Sequence, residues 1–176
     1  MTERQPSVLL RSYDSFELRR FPAHELAEVE VQGDFLSAGN RGFRPLVNYI
    51  GGMNTTGSQM AMTAPVAQSA LADDRYLVTF VLPAGTDPDS VPLPRDASVR
   101  VRHVEEYDAA VVSFSGGWNE KRFADASAKL LVAVAEAGLQ TNGTVIFARF
   151  DPPWKPGFLK YNEVIQPVAS AAVPPT

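Results

Sequence analysis

The chain has 176 residues, 45% of them hydrophobic and 20% charged, the size and composition of one globular domain with a sizeable core. A formal net charge of -4 argues against a nucleic-acid partner, which demands a basic stripe of Lys and Arg. The absence of cysteine excludes disulfides, thiolate metal sites and a cysteine nucleophile. Val8 to Leu10 is too short an apolar cluster for a signal-peptide core or a membrane span, so a cytoplasmic protein without membrane insertion is expected.

In chain order, Tyr13 to Phe21 reads as a short strand. From Leu26 to Val31 the sequence alternates, with Ala27, Val29 and Val31 on one face and Glu28 and Glu30 on the other, the period of a half-buried strand. Asp34 is placed to cap a helix in which Phe35, Gly39, Phe43, Leu46 and Ile50 recur every three or four residues, with Gly51-Gly52 as its stop. Pro45 inside it removes a backbone donor and predicts a bend. Met60 to Val66 and Tyr76 to Leu82 follow as strands, and Pro83, Pro88, Pro92 and Pro94 mark a loop. Strands are then expected near Ser98 to His103 and Ala109 to Phe114. A helix runs from about Asn119 to Ala137, with Phe123, Ala126, Leu130 and Val134 on one stripe and Gly138 as stop. Thr144 to Phe150 and Tyr161 to Val168 complete the strands. The tail from Ala169 to Thr176 offers nothing to pack and is expected to be disordered.

Both halves therefore read strand, strand, helix, strand, strand, although their residues show little similarity. The expected fold is α+β: duplicated, pseudo-symmetric units forming one distorted antiparallel β-barrel flanked by two helices. The expected division is an N-terminal extension over 1–12, a single domain over 13–168 and a tail over 169–176.

Catalytic motifs are missing. Ser113-Phe114-Ser115-Gly116-Gly117 lacks the leading Gly of a nucleophile elbow, and Gly52 to Ser58 has Ser58 where a phosphate loop needs Lys, so a plain turn is expected there. Two histidines are too few for an ordinary zinc site, and Asp73-Asp74 and Glu105-Glu106 read as solvated turn carboxylates. His103 shares strand parity with Val99 and Val101 and is expected to point inward, whereas His24 shares parity with Glu28 and Glu30 and is expected to be solvated. Glu163 alternates in step with Tyr161 and Ile165, which makes it a buried carboxylate, either a structural hydrogen-bond anchor or a ligand contact. The positive signal is apolar. Phe43, Leu46 and Val47 share a helix, and Pro152, Pro153, Trp154, Pro156 and Phe158 share a proline-stiffened loop, a combination suited to a flat apolar ligand.

Gly42-Phe43-Arg44-Pro45-Leu46-Val47-Asn48-Tyr49-Ile50-Gly51-Gly52-Met53-Asn54 and Met60-Ala61-Met62-Thr63-Ala64-Pro65-Val66 resemble the SOUL heme-binding family. The resemblance continues through Tyr13 to Phe21, Phe80 to Pro83, Val112 to Gly116, Asp151 to Pro156 and Asn162-Glu163-Val164. It implies a pseudo-symmetric antiparallel barrel with two helices, and heme or a related porphyrin as ligand in a shallow groove between the first helix and the loop before the last strand. The heme-binding residues would be Phe43, Arg44, Leu46, Val47, Trp154 and Phe158, with Arg41, Arg44 and Lys155 placed to meet a propionate. Burying about 400 Å² of porphyrin face is worth on the order of 10 kcal/mol before association entropy is subtracted. Some relatives are described with an axial histidine just after the arginine of their first strand, and here that position is Arg20. His24 and His103 are the remaining axial candidates, and no metal other than heme iron is expected. The function expected is non-covalent binding for buffering, transfer or sensing, without catalysis. The alternative is a module for cationic apolar small molecules, like the effector-binding domains of transcription regulators, with Glu163 as the contact.

Overall fold

The structure is a computed structural model describing residues 2–170. It contains strands β1 (Glu3–Arg4), β2 (Val8–Ser12), β3 (Glu17–Phe21) and β4 (His24–Gln32), then helix α1 (Phe35–Ile50). Strands β5 (Thr63–Ala64), β6 (Val66–Ala70), β7 (Arg75–Val81), β8 (Val99–Val104) and β9 (Tyr107–Ser115) precede helix α2 (Glu120–Glu136), and β10 (Ile146–Arg149) and β11 (Tyr161–Val168) follow it. Two of the strands, β1 and β2, fall within the segment 1–12. The expected tail lies outside the described residues beyond Ser170.

Nine strands form one antiparallel sheet in the order β2-β3-β9-β11-β10-β6-β7-β4-β8, curled into a half-barrel beside two helices. The expected α+β class is seen, with the sheet open at β2 and β8. Exchanging the set β3, β4, β6, β7 with the set β8, β9, β10, β11 and reading backwards leaves the order of those eight strands unchanged. That palindrome is a property of strand order alone; the two halves share little sequence.

Each helix covers one half of the sheet. Asp34 caps α1 by accepting from the backbone N–H groups of Leu36 and Ser37, and the helix continues through Pro45. Its face of Ala38, Leu46, Tyr49 and Ile50 packs on Ala27, Val29, Val78 and Phe80. The approach is close because Gly42 has no side chain: a Cβ there would lie 2.6 Å from Val78 Cγ2. Helix α2, capped by Asn119, buries Phe123, Leu130 and Val134 against Leu18, Ala110 and Val164. Phe21, Ala109, Val111, Ala148 and Ile165 pack together as a third cluster. The helices meet where the ring of Phe35, the first residue of α1, lies 5.6 Å from that of Phe123.

The loop after α1 is the expected turn, held by buried Asn54. Its side-chain amide donates to the carbonyls of Tyr49 and Ser58, and its Oδ1 accepts from the backbone N–H groups of Thr56 and Ser58. Glu28 departs from expectation. Strand alternation assigns it to water, but Arg100 and Arg102 of the neighbouring β8 reach it at 3.3 and 3.1 Å and cover it.

Candidate functional site

A groove runs between α1 and the segment joining β10 to β11. Its walls are Gly39, Asn40 and Phe43 of α1, Val66, Trp118, Arg149, Asp151 and Pro153, and it encloses about 80 Å³. That volume is far below the several hundred Å³ of a pocket that encloses a whole small-molecule ligand. Phe43 is 37% exposed, held edge-on against Phe80 at 5.4 Å between centroids.

The loop from 151 to 160 is fixed at its base. Asp151 accepts from the Tyr161 backbone N–H and from Lys155 Nζ, both at 2.6 Å, and the two contacts hold its carboxyl below the usual range against the opposing effect of desolvation. Lys160 Nζ donates to the Pro153 carbonyl at 3.0 Å. So anchored, the loop leaves Trp154 85% and Phe158 77% exposed.

At the base of the groove sits Arg149, buried at 4% exposure, its Nη2 donating to Gln68 Oε1 at 2.7 Å. Gly39 makes room for it, since a Cβ there would come within 2.5 Å of Arg149 Nη1. The guanidinium lies over the rings of Phe35 and Trp118 at 5.1 and 4.8 Å.

A family model for SOUL heme-binding proteins matches residues 2–167. The chain belongs to the SOUL heme-binding family. Heme-binding protein 1 of Mus musculus is 28% identical to this SOUL chain over 158 residues, spanning 85% of it and 82% of the mouse protein. The Sus scrofa protein of the same name is 26% identical over 157 residues, with the same coverage. Among solved structures, the EcmrR C-terminal domain superposes with a TM-score of 0.69 at 13% identity, over 88% of this chain and 97% of that one. A hydrolase from Listeria innocua superposes with a TM-score of 0.65 at 11% identity, over 91% and 94%. At these identities the two structures attest the fold alone.

Of the residues expected from the SOUL resemblance to touch heme or its propionates, Phe43 alone is among those lining the groove, and Trp154 directly follows the lining residue Pro153. Leu46 is fully buried in the core beneath α1 and presents no surface to a ligand. The spacing that grouped it with Phe43 is real, but the sheet covers Leu46 completely and touches Phe43 along one side, at Phe80. Val47 packs half-buried against the same core, and Arg41 and Arg44 are exposed outside the groove. Lys155 is engaged by Asp151. Arg149, Trp118 and Lys160 were missed; the one local signal was a lone charge, Arg149, closing the apolar run from Val145 to Ala148.

Neither histidine lines the groove. His24 is half-buried, where strand parity predicted a solvated ring, because Gln5, Pro22 and the segment from Leu82 to Thr86 close around it. Its Nδ1–H donates to the Pro22 carbonyl at 2.8 Å, which leaves Nε2 to accept from the Gln5 amide at 3.3 Å. His103 faces the same way as Val99 and Val101, but at the end of β8 it stays exposed and bonds the buried Glu25 carboxylate. The two rings should titrate apart. Desolvation lowers His24, whereas the hydrogen bond to Glu25 raises His103, with Glu105 adding to it. His103 therefore favours folding below the ordinary imidazole value and loses that contribution as pH rises through its raised one. His24 favours folding above the ordinary value and loses it as pH falls through its lowered one. An NMR titration of the imidazole resonances is expected to give His24 the lower midpoint; the reverse order would refute the assignment.

Glu163 is buried, but not free. Arg19 Nη1 and the Tyr161 hydroxyl donate to its Oε1 at 2.9 and 2.7 Å, and Arg4 lies over the rings of Phe150 and Tyr161 nearby. A larger hollow of about 450 Å³ lies against α2, lined by Val112, Phe114, Arg122, Lys129 and others. It is wide open, and its charged lining residues are exposed. The α1 groove is preferred as the site because its lining residues Arg149 and Trp118 carry buried polar atoms that the fold leaves unpartnered.

Proposed function

We propose that this SOUL domain binds heme or a related tetrapyrrole non-covalently, for buffering, transfer or sensing and without turnover. The macrocycle lies across the open face of the α1 groove, one ring against Phe43, with Trp154 and Phe158 closing over it. The observation that carries this reading is a groove lined by half-exposed Phe43 of α1 and by Pro153 of the loop that carries exposed Trp154 and Phe158. Family membership and the two heme-binding protein 1 relatives support it. The alternative, capture of a cationic apolar compound by Glu163, is disfavoured because Arg19 already balances that carboxylate.

The test is a titration of purified protein with ferric heme, followed at the Soret band, in parallel with metal-free protoporphyrin. Saturable binding of both is expected, unchanged by His24→Ala or His103→Ala, since neither ring reaches the groove. Phe43→Ala should weaken binding roughly two- to tenfold, the worth of one aromatic contact. Absence of saturation with either porphyrin would overturn the reading. Loss of the heme signal alone in a histidine variant would move the site to that histidine.

A further inference from the structure

The base of the groove carries more positive charge than the fold neutralises. Arg149 and Lys160, 4% and 8% exposed, both lie over the Trp118 ring, at 4.8 and 4.6 Å from its centroid. Their hydrogen bonds go to neutral acceptors, Gln68 Oε1 and the Pro153 carbonyl, and among the described residues neither has a carboxylate within ion-pair distance. The nearest carboxylate in sequence, Asp151, is taken by Lys155 and the Tyr161 N–H. Burial alone pushes the Arg149 pKa down to about 10, so the guanidinium remains charged at neutral pH. Two donors are left over in the same place: Arg149 Nε and Trp118 Nε1 are buried without a hydrogen-bond partner, and both residues line the groove. A buried cation without a counter-ion is costly, and unpaired buried donors are rare in folded proteins. Here both coincide at a cavity.

We propose that the base of the groove is a carboxylate receptor, in which Arg149 and the Trp118 Nε1–H hold a carboxylate of the ligand while Lys160 adds a second positive charge over the indole. This rests on the tetrapyrrole reading and gives it a direction: an acidic side arm enters the chamber and the macrocycle stays outside, against Phe43. The enclosed volume of about 80 Å³ fits that role. It equals roughly two to three water molecules at about 30 Å³ each, enough for a carboxylate and too little for a ring system. The chemistry favours a ligand with a short, flexible carboxylate arm over a neutral one of the same shape.

The experiment compares protoporphyrin IX with its neutral diamide, binding each to the full chain and to Arg149→Met and Trp118→Phe. The free acid is expected to bind the parent about tenfold or more tightly than the diamide. Arg149→Met should bring the acid down toward the diamide's affinity, and Trp118→Phe should lose part of the preference. Equal binding of acid and diamide by the parent, with no effect of Arg149→Met, would overturn the receptor while leaving tetrapyrrole binding in place. A second measurement needs no porphyrin and no variant that might unfold. Sodium propionate, titrated into the isotope-labelled parent, should shift the Trp118 indole N–H resonance and leave that of exposed Trp154 unmoved. An unmoved Trp118 resonance would overturn the proposal. A shift in a protein that binds no porphyrin would keep the receptor, for a small free carboxylate, and remove the tetrapyrrole reading.

Discussion

Phe123→Ala is expected to lower the unfolding free energy by about 3–5 kcal/mol. The ring is fully buried and touches aromatics from three other elements: Phe35 of α1 at 5.6 Å, Phe114 of β9 at 5.1 Å and Phe147 of β10 at 5.3 Å. Those three rings are tethered to different backbones, so they cannot all move into the space that truncation opens. The cost therefore includes a cavity as well as the lost transfer free energy. Against a total of about 5–15 kcal/mol for a domain, this is a large share. Urea unfolding should show a lower midpoint at unchanged slope. Phe123→Leu, which keeps most of the volume, should cost less than about 1.5 kcal/mol. A loss below about 1 kcal/mol for the alanine variant would mean that the cluster repacks and that the two helices are joined elsewhere.

Arg19→Met is expected to cost a similar amount, about 3–5 kcal/mol near neutral pH, because it leaves the Glu163 carboxylate buried without its counter-ion. The second Arg19 partner, Glu17, is half exposed and keeps its hydration when the arginine is gone. The penalty is that of a buried charge left without its partner, so it should vanish in part when the charge is removed as well. A loss that persists after both charges are gone would show that Arg19 acts through packing alone. The double variant Arg19→Met with Glu163→Gln, which removes both charges, should recover much of the loss at pH 7.

The elements most legible in the sequence were those with a clear period and a chemical stop. Tyr161–Val168 and Glu120–Glu136 lie where alternation and the 3.6-residue stripe put them, the helix between Asn119 and Gly138. The strand Val8–Ser12 was not legible: it has no alternation and is defined by pairing with β3 at the sheet edge. Met60 to Met62 read as strand but lie outside one, with pairing beginning at Thr63. The buried Glu28 could not be seen from its own strand, because the arginines that cover it belong to β8, far along the chain. The same distinction divides the site. Phe43 and the loop carrying Trp154 could be named because each lies within one contiguous apolar pattern. Arg149, Trp118 and Lys160 come from three segments, and what sets the two cations apart is that, among the described residues, neither forms an ion pair while both lie over the Trp118 ring, a property no single stretch of sequence carries.

The open sheet has a consequence for colloidal behaviour. A half-barrel exposes two rows of backbone donors and acceptors, at β2 and β8, and such rows invite strand addition and fibre growth. Both are blunted, by different means. The β8 edge alternates Arg100 and Arg102 with its valines and carries His103 near its end, so two such edges would meet cation against cation. The β2 edge is five residues long, and its register with β3 shifts between Leu9 and Arg11, which spoils it as a flat template. The arginines that neutralise Glu28 from within one molecule are thus the same groups that repel a second molecule from its rim.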